Sequence, residues 1–211
     1  GAISSEKVWN PKIFHVANVL VFALCAALLF HILKLLFVNE WASFIGALFF
    51  VVHPVQVESV AWITSMKGLL SGVFALLSIF YFAKFKTGSK LKKTNYLISF
   101  FSFLFCLLSK SAFLLLPCTL FLLSIFIFKD SWKRAAKDLI PWVGLTTFFA
   151  WLTISFYPEK NPFLTSQTLV ERTLISLDSL THYLSLAVFP HSLSIDNGRT
   201  VSAVLTSPHL W

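Results

Sequence analysis

Apolar positions in this chain come in blocks, not in alternation. The first block covers residues 13–38. It is entered through Asn10 and Pro11, and proline suits a first helical turn because it has no amide hydrogen to leave unbonded. At ~1.5 Å per residue the block is long enough to cross a hydrocarbon core of ~30 Å. Asn39 and Glu40 break it. A shorter block, 41–52, stops at His53-Pro54 and reaches across only a thinned bilayer. Residues 53–66 are mixed, and 69–83 is apolar again with Lys67 at its entrance. The next apolar stretch, 96–128, is too long for one upright helix and is interrupted by Ser109-Lys110-Ser111. A lysine in mid-bilayer is costly whereas one at a turn reaches headgroups, so two helices, 96–108 and 112–128, are expected to meet there. The last clear block, 139–157, closes at Tyr157-Pro158.

Composition sharpens the class. Hydrophobic residues make up 57% of the 211 positions and charged residues 12%, against about a quarter charged in a soluble domain. The expected fold is therefore an all-α polytopic membrane helix bundle over residues 1–157, with about six spans. Two short loops hold its basic residues: Lys84, Lys86, Lys90, Lys92 and Lys93, then Lys129, Lys133, Arg134 and Lys137. Short cytoplasmic loops concentrate lysine and arginine, so both are placed inside. With Lys34, ten inner basic residues face Glu40, Asp130 and Asp138, a net +7 of the chain's +8. The sequence pI of about 9.5 thus reports topology, and nucleic-acid binding is not needed to explain it. On this arrangement residue 1 lies outside, so a further span is expected before Gly1, and both ends read as cuts in a longer protein. Cys25, Cys106 and Cys118 all sit within apolar blocks and form neither a disulfide framework nor a metal spacing. Trp9, Trp41, Trp62, Tyr81, Trp142 and Tyr157 lie near span ends and read as interface anchors.

The remainder, 158–211, is an outer loop of different character. Its helix, expected over 168–189, repeats Val170, Leu174, Leu177, Leu180, Leu184 and Val188 at helical spacing and carries Glu171, Asp178, His182 and Ser185 on the other face. It either lies in the outer interface or packs a polar seam toward a protein cavity, and the first reading is preferred.

Candidate chemistry gathers on the outer side. His53 and Glu58 follow a short span together. They could serve as general base, as carbohydrate or acceptor ligands, or as half of a metal site; on chemistry alone the preferred reading is a capped helix end with one exposed His and a Glu at the start of the next helix. Lys67 and Lys110 end two different spans, where ammonium groups could hold a lipid phosphate or pyrophosphate, although span-end lysines also snorkel. Asp178 and His182 stand four apart on one helical face and suit a structural pair. Glycine-rich phosphate loops, His-Glu-x-x-His, nucleophile elbows and Cys pairs are all missing from the sequence.

The run from Phe49 to Ile63, with His53-Pro54-Val55-Gln56-Val57-Glu58-Ser59-Val60 at its centre and Met66-Lys67-Gly68-Leu69-Leu70-Ser71 after it, resembles the outer-loop signature of the membrane-spanning, tetratricopeptide-containing O-mannosyltransferases and their bacterial relatives. These belong to the GT-C superfamily of polyprenyl-phosphate-sugar glycosyltransferases. Leu107-Leu108-Ser109-Lys110 resembles the family's Ser-Lys break, and Asn161-Pro162, Tyr183-Leu184 and Pro190-His191-Ser192-Leu193-Ser194-Ile195-Asp196 resemble its region after the seventh span. The chain departs from the pattern at Gly68, where many relatives carry an acid.

The resemblance implies spans two to seven of a seven-span module in the bacterial inner membrane or endoplasmic reticulum, working on the periplasmic or luminal face. The implied activity is transfer of a mannose-like sugar from a polyprenyl-phosphate donor to a protein or glycan acceptor, with no cofactor beyond that donor and a divalent metal left open. Lys67 and Lys110 would hold the donor phosphate, and His53 and Glu58 would serve the sugar or acceptor side. The family's catalytic Asp would precede Gly1, so this piece alone is expected to be inactive. The rival reading is a non-catalytic flippase or transporter of lipid-linked sugar. Such a protein would show paired broken helices at mid-membrane, whereas the polar residues here gather at one face.

Overall fold

The computed structural model describes residues 11–37, 39–88, 90–156 and 169–189. The described residues are helical throughout, with no strand among them. In order they form α1 (Pro11–Phe37), α2 (Glu40–Val52), α3 (Gln56–Ala61), a 3-10 turn (Ile63–Ser65), α4 (Met66–Lys86), α5 (Lys92–Ser109), a second 3-10 turn (Ser111–Phe113), α6 (Leu116–Phe126), α7 (Trp132–Phe156) and α8 (Leu169–Val188). The chain divides into two compact units, Gly1–Thr153 and Ile154–Trp211.

Among the described residues three helices are long and apolar enough to cross a membrane: Lys12–Phe37, Met66–Lys86 and Trp132–Phe156. They make this a membrane protein, and the many large apolar side chains left exposed on α1, α2 and α7 fit a lipid solvent. Two further apolar helices are shorter, α2 with 13 residues and α6 with 11. At ~1.5 Å per residue both fall short of ~30 Å.

Most boundaries lie within a few residues of the apolar blocks. The 112–128 block departs from one continuous helix: it divides into the Ser111–Phe113 turn and α6. Lys129 takes a left-handed φ of 52° just past the end of α6, and the amide of Asp130 reaches the Ser124 carbonyl at 3.0 Å to close it. α7 begins at Trp132, seven positions before the apolar block at 139, because Lys133, Arg134, Ala135, Ala136 and Lys137 are strong helix formers.

The tightest pairing in the first unit is α4 against α5, along a seam of small polar side chains. The Ser99 hydroxyl donates to the Ser78 carbonyl at 2.8 Å, and the two hydroxyls lie 3.3 Å apart. Two turns along, the Ser71 hydroxyl donates to the Cys106 carbonyl at 3.0 Å. Small residues allow such close approach between helices in lipid, where there is no hydrophobic drive between them. α1 lies against α4, with the Cys25 thiol 3.8 Å from the Leu69 carbonyl. It also packs on α2, so closely that a Cβ at Gly46 would come within 2.9 Å of a Leu33 methyl.

At the basic end the fold is locked by aromatic and ionic contacts. Trp142, expected as an interface anchor, is instead fully buried. Its ring meets Tyr96, Phe100 and Phe82 edge to face, with centroids 4.9, 5.4 and 5.9 Å away. Beside it the Lys86 ammonium reaches Asp130 at 2.6 Å and Asp138 at 2.7 Å, with only 5% of its side chain exposed. Tyr96 donates its hydroxyl to the Asp138 carbonyl at 2.9 Å. One lysine of α4 thus ties down the loop before α7 and the first turns of α7 itself.

In the second unit, α8 spans the helix expected over 168–189. Its row Leu174, Leu177, Leu180, Leu184 and Val188 is exposed, and Asp178 is buried. Residues 161–162 and 190–196, Trp9, Asn10 and Tyr157 lie outside the described residues.

Replacing Lys86 by Met removes the cation shared by two mostly covered carboxylates and leaves Asp130 with only the exposed Arg134, at 3.9 Å. The expected cost is about 2–3 kcal/mol, below the range for fully buried pairs because the aspartates keep some solvent. It is measured as thermal unfolding in lipid nanodiscs. The triple variant Lys86→Met/Asp130→Asn/Asp138→Asn should regain most of the loss, since the one charge it leaves without its partner is that of Arg134, which is 71% exposed.

Candidate functional site

The end of the bundle opposite the basic loops is built from chain breaks. α2 stops at His53, and Pro54 follows without an amide to continue the helix. The chain reverses through hydrogen bonds from the Gln56 amide to the His53 carbonyl at 3.0 Å and from the Val57 amide to the Pro54 carbonyl at 3.1 Å. It then runs through α3 and the Ile63–Ser65 turn into α4. Asn18, fully buried on α1, fastens this excursion, because its side-chain amide donates to the Trp62 carbonyl at 2.7 Å and to the Val60 carbonyl at 3.3 Å.

The second break is at Lys110, which leaves the helix in an extended conformation (φ −160°, ψ 127°) while its amide still bonds the Cys106 carbonyl. Ser71 of α4 spans the gap from the other side. Its hydroxyl lies within hydrogen-bonding reach of the Cys106 carbonyl and, at 3.3 Å, of the Lys110 carbonyl. The α4–α5 seam therefore sets where the Lys110 backbone turns and where its side chain starts.

Between these breaks opens a cleft of about 990 Å³. Glu58 from α3, Lys67 from the first turn of α4 and Lys110 from the α5 break all line it, so three of the six candidates named from the sequence share one cavity. Much of the wall is apolar, including Phe22, Phe50, Leu69, Leu76, Phe113 and Leu116. The Lys110 ammonium reaches across toward α4, within 3.9 Å of where a Cβ on Gly68 would stand. It consequently approaches the positive end of the α4 dipole, as Lys67 does from within that turn. Two cations and a helix N-terminus in one recess form an anion-seeking arrangement with a lipid-compatible lining.

His53 is placed differently. It is not among the residues lining the cleft. Its Nδ1 accepts from the Val55 amide at 3.3 Å, and its ring meets Phe49 edge-on at 5.4 Å, the environment of a helix-ending residue. Asp178 and His182 belong to α8 in the second unit, where the Thr181 hydroxyl donates to the Asp178 carbonyl and that of Ser185 to the His182 carbonyl. Among the described residues no group of three or more His, Cys, Asp or Glu side chains could hold a metal ion.

Sequence reading missed three contributors. Asn18 is the one amide in an apolar block, and a polar residue there is a signal of function or packing. Ser71 lies one helical turn beyond Lys67 and carries no such mark. Trp62, read as an interface anchor, lines the cleft. No protein-family model, curated protein or solved structure matches this chain, so the cleft itself carries the chemical argument.

The Lys110–Gly68 approach makes a direct prediction. Gly68→Ala adds a methyl in ordinary contact distance and should leave Lys110 as reactive toward an amine-acylating reagent as in the parent. Gly68→Asp favours the helix start, yet brings a carboxylate to the Lys110 ammonium. Acylation at Lys110, read by peptide mass spectrometry, should then slow severalfold, while Lys92 at the other end stays unchanged.

Proposed function

We propose that this chain is the membrane core of a GT-C type glycosyltransferase that takes a mannose-like sugar from a polyprenyl-phosphate donor and passes it to a protein or glycan acceptor. The observation that carries the reading is the convergence of Lys67, Lys110 and Glu58 on one cleft from three separate segments. Glycosyl transfer from such a donor leaves a phosphate whose negative charge grows as the sugar bond breaks. Fixed cations placed where that charge develops stabilise the transition state without reorganisation. Lys67 and Lys110 supply two ammonium groups, and the N-terminal end of α4 adds partial positive charge. The apolar walls suit the lipid end of the same molecule. Glu58 serves the sugar or acceptor side, and His53 supports that side from the α2 end.

In this reading the chain crosses the membrane about six times. The cleft end faces the periplasm or lumen, and the basic end faces the cytoplasm. Supporting the arrangement, the Lys86 contacts to Asp130 and Asp138 draw the α4–α5 and α6–α7 connections together. A cysteine at Gln56 should be labelled by an impermeant thiol reagent from outside, and one at Lys133 only after the membrane is opened. Labelling of both from the same side would overturn the arrangement.

The donor site is tested in the protein that contains this chain. Lys110→Met keeps the stem and removes a charge-assisted contact of roughly 1.5–3 kcal/mol. It should lower kcat/KM about ten- to a hundredfold, at ~1.4 kcal/mol per factor of ten. Lys34, at the far end and paired with Glu40, supplies the control: Lys34→Met should change turnover little. Equal activity of the two variants in folded protein would remove Lys110 from the phosphate site.

A further inference from the structure

Most of the cleft's polar lining comes from one stretch of sequence. Gln56, Glu58, Ser59, Trp62, Thr64 and Ser65 all line it, a run of ten residues that supplies an amide, a carboxylate, three hydroxyls and an indole. We propose that this segment is a sugar subsite, in which Trp62 forms the platform for a pyranose ring and Gln56, Ser59 and Thr64 bond its hydroxyls. The inference rests on the donor-site reading of the cleft, and it names the part of the donor that this wall receives.

Three observations lead there. First, Trp62 lines the cavity and keeps 42% of its surface exposed, so the residue is not consumed by packing. A pyranose has one face of C–H groups and an edge of hydroxyls. A flat aromatic body takes the first, and side chains with both donors and acceptors take the second. Second, the platform is held. Asn18 places a fully buried amide on a membrane helix, a costly position, and gives both bonds of its amide nitrogen to the Val60 and Trp62 carbonyls. The segment is therefore fastened to α1 at the residue that would carry the ring. Third, geometry favours the sugar over a separate ligand. The sugar is covalently joined to the phosphate, so a phosphate held at Lys67 and Lys110 puts the sugar in the same cavity. Elsewhere the lining is mostly apolar and offers few partners for hydroxyl groups.

The test compares two probes on the protein in nanodiscs: a short-chain polyprenyl phosphate, and the same lipid carrying mannose. Equilibrium binding is read by native mass spectrometry. The parent should bind the sugar-loaded lipid more tightly. Trp62→Ala should weaken the loaded lipid about five- to tenfold and leave the bare lipid unchanged, and Trp62→Phe should keep part of the preference. Asn18→Leu, which releases the platform without touching the ligand, should follow Trp62→Ala. Lys110→Met should weaken both lipids alike. A parent that binds the two lipids equally, or a Trp62→Ala variant that weakens both to the same degree or neither, overturns the sugar subsite and leaves the phosphate site standing. Loss of neither lipid on Lys110→Met overturns the donor-site reading itself. If Trp62→Ala does not fold, Gln56→Ala and Thr64→Val make the same comparison, with a selective loss of the loaded lipid supporting the subsite and no selective loss overturning it.

Discussion

The hydroxyl seam between α4 and α5 sets the geometry on which the site depends. In a hydrocarbon surrounding, helices gain nothing from hiding one apolar surface against another, and they associate through close packing and the few polar bonds available. Ser78 with Ser99, and Ser71 with Cys106, supply both along two helices whose outward faces are almost entirely apolar. The seam is also directional. Its last contact, from Ser71, reaches the carbonyl of Lys110, the residue at which α5 stops. The interaction that joins the two helices thereby positions one cation of the cleft against the first turn of the helix that carries the other.

The two ends of the first unit are built on opposite principles. At the basic end the contacts are dense, with an indole enclosed by three aromatic rings and a lysine shared by two aspartates. At the cleft end the helices stop early, through His53-Pro54 on one side and Lys110 on the other, and the backbone is held by single side chains, Asn18 and Ser71. A rigid base with an open mouth lets the recess stay accessible while the helices below it remain in register.

Hydrophobic blocks made the helices legible, because a membrane core demands long uninterrupted apolar runs and Lys110 interrupts one conspicuously. The charge count placed both basic loops inside, and in the fold Lys86 from the first meets Asp130 and Asp138 beside the second. Helix starts were less visible. α7 begins inside a basic loop, since the same lysines and arginine that mark a loop by charge are good helix formers by propensity. Within the site, Glu58, Lys67 and Lys110 were legible as titratable residues near breaks, but their meeting in one cavity depends on the tertiary positions of three segments. Trp62 and Trp142 show the limit most clearly. Tryptophan near a span end has the same signature whether it meets headgroups, lines a cavity or fills a core, and only the neighbours decide. Asn18 and Ser71 act through backbone carbonyls, which every residue has, so no partner residue in the sequence could point to them.

The lysine shared by two aspartates also bears on how the chain is assembled. Lys86 emerges from the ribosome 44 residues before Asp130 and 52 before Asp138. This ammonium is therefore made before either of its carboxylate partners, and it stays hydrated until they follow. Only when α7 packs are both carboxylates delivered to it, and the same side chain changes from a hydrated cation into a buried fastener. Completion of the bundle is thus recorded in the dehydration of one amine.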